Sequence, residues 1–240
     1  YMAGHSKWAN IKHKKAKQDQ ARGKLFTRLS KDITLAAKQG GGDPDTNFRL
    51  RLAVNAAKAA NMPNDTIDKA IKRGTGALGG QNLEEVVYEG YGPGGVAILV
   101  NALTDNRNRT AGEVRFIFSK NGGNLGTDGC VAWMFDRQGV ILAENPNGIS
   151  EDDILMAALD AGATDVEIDE EVEVLMEPDK LEAVEKALAD IGLSVTDAEV
   201  VMQPQNTVDV DGDDQEKLEK LLDALEDNDD VQSVFHNANL

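Results

Sequence analysis

The fold is decided by residues 139–204, GVILAENPNGISEDDILMAALDAGATDVEIDEEVEVLMEPDKLEAVEKALADIGLSVTDAEVVMQP. Along this stretch the spacing of apolar residues changes repeatedly between the period of a strand and that of a helix. The pattern predicts strands at 140–143, 166–168, 172–176 and 198–202, and helices at 151–161 and 180–191. This βαββαβ order is typical of a ferredoxin-like domain, in which two helices cover one face of an antiparallel sheet.

The segments on either side of this stretch predict a second domain of similar type. Residues 85–91 and 96–103 are expected to form a hairpin, and a helix is expected from Thr110 to Lys120. A helix at 215–226 and a strand at 233–237 supply what this hairpin and helix lack. We therefore predict that the third domain is inserted into the second.

The N-terminal part predicts a small helical domain. Leu25, Leu29 and Ile33 follow one another at four-residue spacing on one helix face. The glycines and proline of residues 40–44 should end that helix. A second helix is expected at about 47–60, and a third with Asn64 as its N-cap and Gly74 at its end.

Residues 74–80, with four glycines, predict a flexible joint after the helices. The fold class is therefore α+β: a helical domain followed by two ferredoxin-like α/β domains. The predicted domains are a basic helical domain at 1–78, a discontinuous α/β domain at 79–136 plus 205–240, and an inserted α/β domain at 137–204.

Charge is segregated along the chain. Residues 1–74 contain 16 Lys and Arg against 6 Asp and Glu, whereas residues 75–240 contain 9 against 36. The net charge of −17 argues against a nucleic-acid partner, but the average conceals a basic segment. Electrostatic fields in physiological salt decay over about 8 Å. A basic face one domain away from the acidic body can therefore still attract a polyanion.

The strongest functional signal is the density of cations between Lys7 and Lys31, nine Lys or Arg in 25 residues. Like charges one helical turn apart destabilise a helix, so such clustering favours an anionic partner such as nucleic-acid phosphate. The alternative is a solvated basic face. Trp8 is suited to stacking on an unpaired base, or to anchoring a core. The candidate nucleic-acid-binding residues here are Lys7, Trp8, Lys12, His13, Lys14, Lys15, Lys17, Arg22, Lys24 and Arg28.

Arg107 and Arg109 are two further candidates, because they precede the helix expected from Thr110. Cations at a helix N-terminus oppose the helix dipole, and an anion shared with the free N–H groups would explain them. In the alternative interpretation, both arginines pair with Asp105 or Glu113.

Other motifs point to no catalytic, metal or cofactor site. Gly90–Gly95 matches G-x-G-x-x-G but lies between two expected strands, so we interpret it as a hairpin turn. The glycine-rich loop at 122–129 lacks the end of a Walker motif, and 209–214 has Asp214 where a calcium loop needs glycine. Cys130 is interpreted as a small core residue, and three histidines give no zinc-ligand spacing.

Composition also bears on the compartment. The longest apolar run, 96–100, is far shorter than the roughly 20 residues of a membrane span. The N-terminal segment has no apolar stretch of the signal-peptide type and is rich in Lys rather than Arg and Ser. We therefore expect a cytoplasmic protein with neither membrane nor small-molecule partners.

Several segments together resemble the YebC family across the whole chain. They are MAGHSKWANIKHKKAKQDQARGKLFTRLSKDI, GGGDPDTNFRLR, NMPNDTIDKAIKRG, YEGYGPGG, LTDNRNRTAGEVR and GGNLGTDGCVAW. The family includes probable bacterial transcriptional regulators and a mitochondrial translational activator of cytochrome oxidase subunit one. The resemblance implies three domains, no cofactor and binding to DNA or to the ribosome. It carries over Lys7, Trp8, Lys12, His13, Lys14, Lys15, Lys17, Arg107 and Arg109 as site residues.

The combined expectation is a non-enzymatic, DNA-binding transcriptional regulator whose basic head holds nucleic acid. One alternative is a translation factor that binds rRNA or tRNA on the ribosome and activates translation or relieves stalled ribosomes. Lysine clusters contact phosphate in both polymers, so the residues alone do not choose between them. A second alternative is an adaptor whose acidic body binds a basic protein.

Overall fold

The computed structural model describes residues 22–78 and 82–240 of the chain. The seven helices there are α1 (Arg22–Gly40), α2 (Phe48–Ala59), α3 (Asn64–Thr75), α4 (Arg107–Lys120), α5 (Glu151–Ala161), α6 (Leu181–Asp190) and α7 (Gly212–Asp227). The ten strands there are β1 (Glu84–Tyr91), β2 (Ala97–Thr104), β3 (Asn124–Leu125), β4 (Phe135–Glu144), β5 (Ala163–Ile168), β6 (Val172–Met176), β7 (Ser194–Pro204), β8 (Val208–Asp209), β9 (Val231–His236) and β10 (Ala238–Asn239). Helices in the N-terminal part followed by antiparallel sheets confirm the α+β class.

The described chain divides into two compact units. The small unit is residues 136–203, and the large unit comprises the other described residues. The helical part and the first sheet therefore belong to one unit. The division of the large unit into domains 1–78 and 79–136 plus 205–240 stays a prediction.

The helical part is built around a small apolar core to which α1, α2 and α3 each contribute. Ile33, Leu50 and Ile67 are almost completely buried there. Asn47 precedes α2 and joins two helices: its side-chain oxygen accepts from Leu50 N at 3.1 Å, and its amide donates to Ala36 O at 2.9 Å. As expected from the sequence, the first helix ends at Gly40.

The ends of α3 differ from the sequence prediction. Asn64 is not the N-cap but the first helical residue, because Pro63 occupies the cap position without a side-chain hydrogen bond. The C-terminal cap is Gly76, with φ of 85°, and not Gly74. Gly74 serves packing instead, since an added Cβ would lie 2.3 Å from Thr34 O of α1. Position 74 must therefore be a glycine for α3 to pack this closely against α1.

The large unit contains a four-stranded antiparallel sheet in the order β3-β1-β2-β9. Helices α4 and α7 supply Phe118 and Leu221 to the core on one face, where they join Val100 and Val234 from the sheet. Residues 93–95 form a 3-10 turn between β1 and β2, which confirms the hairpin interpretation of the glycine motif. Helix α7 begins at Gly212, so Asp213 and Asp214 lie in its first turn rather than capping it.

The small unit, residues 136–203, contains nearly all of the stretch predicted to be ferredoxin-like. Its strands lie in the order β5-β6-β4-β7, and β4 and β6 as well as β5 and β6 pair antiparallel. With α5 after β4 and α6 after β6, the element order is βαββαβ. Helix α5 has the predicted bounds, and Ser150 caps it by accepting from Asp153 N at 3.2 Å.

Candidate nucleic-acid interface

The candidate site residues fall into two groups. Most of the basic head lies outside the described residues, and for Arg22 only the backbone is described. This group comprises Lys7, Trp8, Lys12, His13, Lys14, Lys15, Lys17 and Arg22. The second group has described side chains: Lys24 and Arg28 on α1, and Arg107 and Arg109 in the first turn of α4. The structure therefore locates only the second group.

An acidic segment, residues 227–230, forms ion pairs with part of the second group. Lys24 forms ion pairs with Asp227 at 2.9 Å and Asp229 at 3.8 Å, and also donates to the Asp227 carbonyl. One face of α1 carries Lys24, Arg28 and Lys31 because they are spaced by four and three residues. Lys31 Nζ lies 3.1 Å from Asp230 Oδ1. Intramolecular carboxylates thus neutralise two cations of α1.

Arg28 does not have the exposed position that phosphate binding requires. Its side chain is buried, with 8% of the residue exposed. The backbone carbonyl of Arg28 accepts from Gln232 Nε2 at 3.0 Å, and the same amide donates to Asp32 Oδ1 at 2.9 Å. This part of α1 is therefore fixed against the strand β9, which contains Gln232.

The first turn of α4 begins three residues earlier than the sequence predicts. Asn106 caps the helix by accepting from Arg109 N at 3.1 Å, and Arg107 becomes the first helical residue. Arg109 Nη2 lies 3.0 Å from both Asp105 Oδ1 and Asp230 Oδ2. Arg107 Nη1 lies 3.3 Å from Glu84 Oε2. The structure thus shows the carboxylate-paired alternative, with Asp230 and Glu84 as partners that the sequence did not suggest.

Asp230 lies at the centre of this ion-pair network. Its side chain is only 8% exposed and also accepts from the Thr110 hydroxyl at 2.8 Å. Burial raises the pKa of Asp230, but the hydrogen bonds from Thr110, Arg109 and Lys31 outweigh it, and the pKa lies below its usual range. The same contacts with Asp230 and Asp105 raise the pKa of Arg109. The network lines an open cleft of about 600 Å³ between α1, α4 and the end of α7.

Sequence reasoning missed this network for two reasons. The sequence has 36 acids after residue 74, so no individual carboxylate was informative. Lys31 and Asp230 are 199 positions apart, and no local pattern marks such a contact. The available signal was weak: an acidic segment between a helix and a strand, matched by cations at seven-residue spacing on α1.

The glycine-rich loop after α4 is closed by a carboxylate of the chain. Glu89, which is 6% exposed, accepts from the backbone N–H groups of Gly129, Val131 and Ala132 at 2.5, 3.0 and 2.6 Å. Burial raises the pKa of Glu89, and these three donors lower it to below its usual range overall. The backbone N–H groups of Gly129, Val131 and Ala132 are therefore already satisfied within the chain.

Cys130 lies in the same loop and is partly exposed rather than a core residue. Burial and the charge of Glu89 raise the pKa of its thiol, which disfavours the reactive thiolate. Among residues 22–78 and 82–240, no group of three His, Cys, Asp or Glu is arranged to hold a metal ion. Over those ranges, no helix combines the length and the hydrophobicity that crossing a bilayer requires.

Four further cations of the helical part lie at least partly exposed on α2 and α3. Lys58 lies in the last turn of α2. On α3, one helix face carries Lys69, Lys72 and Arg73. Within the described chain none of the four forms an ion pair, although Asp65 and Asp68 lie one turn before Lys69 and Lys72. Lys58, Lys69 and Lys72 are exposed and Arg73 is partly exposed. These four residues are positive surface on α2 and α3, and none of them is among the site residues predicted from the sequence.

Comparison with known proteins decides the family. One family model, the TACO1/YebC protein N-terminal domain, matches residues 6–77. Another, the TACO1/YebC second and third domain, matches residues 83–238. The chain belongs to the TACO1/YebC family.

Relatives of this YebC-family protein match over nearly their whole length. A probable transcriptional regulatory protein of Caldanaerobacter subterraneus is 57% identical over 100% of this chain and 99% of its own. A protein of the same description from Thermoanaerobacter pseudethanolicus is also 57% identical, over 98% of its own length. The crystal structure of a conserved hypothetical protein from Aquifex aeolicus, 46% identical, superposes with a TM-score of 0.82 over 93% of each chain. Family membership thus confirms the resemblance found in the sequence, and its described relatives are probable regulators of transcription.

Proposed function

We propose that this YebC-family protein is a non-enzymatic, cytoplasmic regulator of gene expression that binds duplex DNA through its basic N-terminal part. The observation that carries the proposal is the segregation of charge, with 16 cations against 6 acids in residues 1–74 and the reverse excess after them. Phosphate contacts by Lys and Arg release counterions and give affinity that does not depend on sequence. The description of the relatives as probable transcriptional regulatory proteins supports DNA as the polymer.

The ion pairs of the described residues divide the cations by role. Lys24, Lys31 and Arg109 hold α1 and α4 against the acidic segment, so their role is structural. The DNA-binding role falls to the head residues Lys7, Lys12, Lys14, Lys15 and Lys17, with Trp8, His13 and Arg22 beside them. Lys69, Lys72 and Arg73, which form no ion pair among the described residues, add positive surface on α3.

The test is the salt dependence of duplex binding, measured by fluorescence anisotropy. For Z phosphate contacts, log affinity should fall against log salt with a slope of about −0.9Z. Changing Lys12, Lys14 and Lys15 together to Ala should flatten the slope by about three. Lys186→Ala is the matched control, because Lys186 is exposed in the small unit and pairs with Asp190 at 2.8 Å.

Two results would overturn the proposal. A triple variant with wild-type affinity and slope would show that the head does not bind phosphate. Crosslinking in cells followed by sequencing identifies the polymer, and contacts confined to ribosomal RNA and tRNA would refute duplex DNA as the target.

A further inference from the structure

Helix α4 differs in charge from the acidic part of the chain around it. Residues 75–240 contain nine Lys and Arg, and four of them lie in α4: Arg107, Arg109, Arg115 and Lys120. The first two are paired with carboxylates, as described above. Arg115 and Lys120, in the second half of the helix, take no part in those pairs.

The second half of α4 presents these cations on its outer face together with an aromatic ring. The exposed positions Gly112, Arg115, Phe116, Ser119 and Lys120 recur at three- and four-residue spacing and so form one stripe. The opposite face is apolar, with Val114 and Phe118 fully buried in the core. Phe116 is 62% exposed, which makes it one of the most exposed large apolar residues of the described chain.

No carboxylate neutralises this stripe in the described part of the chain. Arg115 and Lys120 form no ion pair there. The one acid of α4, Glu113, is turned toward the cleft and accepts from Asn228 Nδ2 at 3.2 Å. Lys120 Nζ lies 5.8 Å from the centre of the Phe116 ring. The stripe therefore combines unpaired positive charge with an exposed aromatic face.

Helix α7 adds a further cation beside the end of α4. The side chain of Lys217 lies near Gly122, since an added Cβ there would be 3.8 Å from Lys217 Cδ. Lys217 is exposed and unpaired among the described residues, whereas Lys220, one turn further on, pairs with Glu216 at 3.6 Å. Lys217 thus places one further cation beside the end of α4, on a helix whose first turn carries Asp213 and Asp214.

We propose that Arg115, Phe116, Lys120 and Lys217 form a second nucleic-acid contact, which binds a single-stranded segment. The inference rests on the proposed function, because it assumes a nucleic-acid partner. Arg115, Lys120 and Lys217 contact phosphates of the strand, and an unpaired base stacks on the Phe116 ring. Proteins that bind single-stranded nucleic acid combine cations, which contact the phosphates, with exposed aromatic rings, on which the bases stack.

The chemistry favours a single strand over a duplex or a protein. In a duplex the faces of the bases are covered by their neighbours, so the ring of Phe116 would have no partner. An acidic peptide would pair with the cations but would leave the aromatic face without its complement. Single-stranded DNA and RNA share phosphates and free base faces, so both are sources of this ligand.

The test measures binding of short labelled oligo(dT) and oligo(rU) by fluorescence anisotropy to the full chain. Phe116→Ala should weaken binding about 5- to 150-fold, the range that loss of one stacked base produces. Phe116→Trp should keep wild-type affinity or exceed it. Lys217→Ala should flatten the salt slope by about 0.7, whereas the paired neighbour tested as Lys220→Ala should leave it unchanged.

Controls separate this inference from the proposed function. The head variant with Lys12, Lys14 and Lys15 changed to Ala should lose duplex binding but keep its sensitivity to Phe116→Ala on single strands. If Phe116→Ala and Lys217→Ala match wild type on both oligonucleotides while the wild type still binds duplex, the α4 contact is refuted alone. If the wild type binds no nucleic acid of any kind, both proposals fail.

A loss of affinity on either oligonucleotide supports the α4 contact, and the tighter of the two polymers identifies its ligand. Because Phe116 is on the surface, its substitution should not alter folding, and a thermal melt checks this. A Phe116→Ala protein that melts as wild type and still binds as wild type would contradict the inference directly.

Discussion

Replacing Asp230 by Asn should destabilise the large unit by about 2–3 kcal/mol. Removing one partner of a buried ion pair costs about 3–5 kcal/mol, because the other charge is left uncompensated. Asp230 is 8% and Lys31 16% exposed, so this pair is close to the buried case. Lys31 keeps the carbonyls of Leu103 and Asp229 at 3.2 and 2.9 Å. Arg109 is 43% exposed and keeps its ion pair with Asp105. Water therefore screens the interaction between Arg109 and Asp230, so the expected loss of stability is smaller than the roughly 3–5 kcal/mol of a fully buried pair.

Urea unfolding at neutral pH, followed by tryptophan fluorescence, measures this loss. The matched control is Asp229→Asn, because the Asp229 side chain is 74% exposed and should change stability by less than about 0.5 kcal/mol. If Asp230→Asn unfolded within 0.5 kcal/mol of wild type, the view that Asp230 holds α1 and α4 together would be wrong.

The stability that Asp230 contributes should decrease as the pH is lowered. Since the folded pKa of Asp230 is lowered, the stabilisation is fully present above the unfolded pKa of about 4 and is lost as pH falls through the folded pKa. The stability difference between wild type and Asp230→Asn should therefore shrink when unfolding is repeated at successively lower pH values below 4. A difference that grows in acid would contradict the network.

Three further substitutions test local features. Glu89→Gln should lower the free energy of unfolding by about 2 kcal/mol, because the one oxygen of Gln can replace the carboxylate oxygen that accepts from Val131 and Ala132 but not the one that accepts from Gly129. Amide exchange at Gly129 should therefore become faster, and exchange as slow as in the wild type would count against the role of the carboxylate. Gly74→Ala should destabilise by about 1–3 kcal/mol in urea, since its methyl group would meet Thr34 O, and an unchanged midpoint would disprove the close approach. Gly112→Ala, inside α4, should have the opposite effect, because no atom lies within 4 Å of the added Cβ and Ala favours a helix over Gly. The urea midpoint should rise by the equivalent of about 0.5–1 kcal/mol. A lower midpoint would contradict the open space around this position.

Local periodicity predicted most elements of the fold, because each helix and strand buries one face. The bounds of α5 and β6 were predicted to the residue, since a Ser cap and alternating apolar residues mark them. The predicted C-terminal end of α3 was wrong, because the sequence makes Gly74 and Gly76 equally suited to cap a helix. Only the neighbouring Thr34 carbonyl shows that Gly74 is reserved for packing.

The candidate site was harder to predict than the fold. The sequence identified Arg109 as needing an anion, but the anion, Asp230, lies 121 positions away. The exposure of Phe116 could not be read from a helix whose apolar residues include Val114, Ile117 and Phe118 as well. Which of these rings and side chains faces outward is set by how α4 packs on its sheet, and that is a long-range property.

The position of β9 has a consequence for how the protein is made. This strand pairs with β2, yet the two are separated along the chain by the whole of the small unit. During synthesis, which proceeds from the amino end, residues 136–203 emerge and can fold while β2 still has an open edge. An unpaired strand edge is prone to join strands of other molecules. The interval before residues 231–236 leave the ribosome is therefore when the nascent chain is most exposed to aggregation.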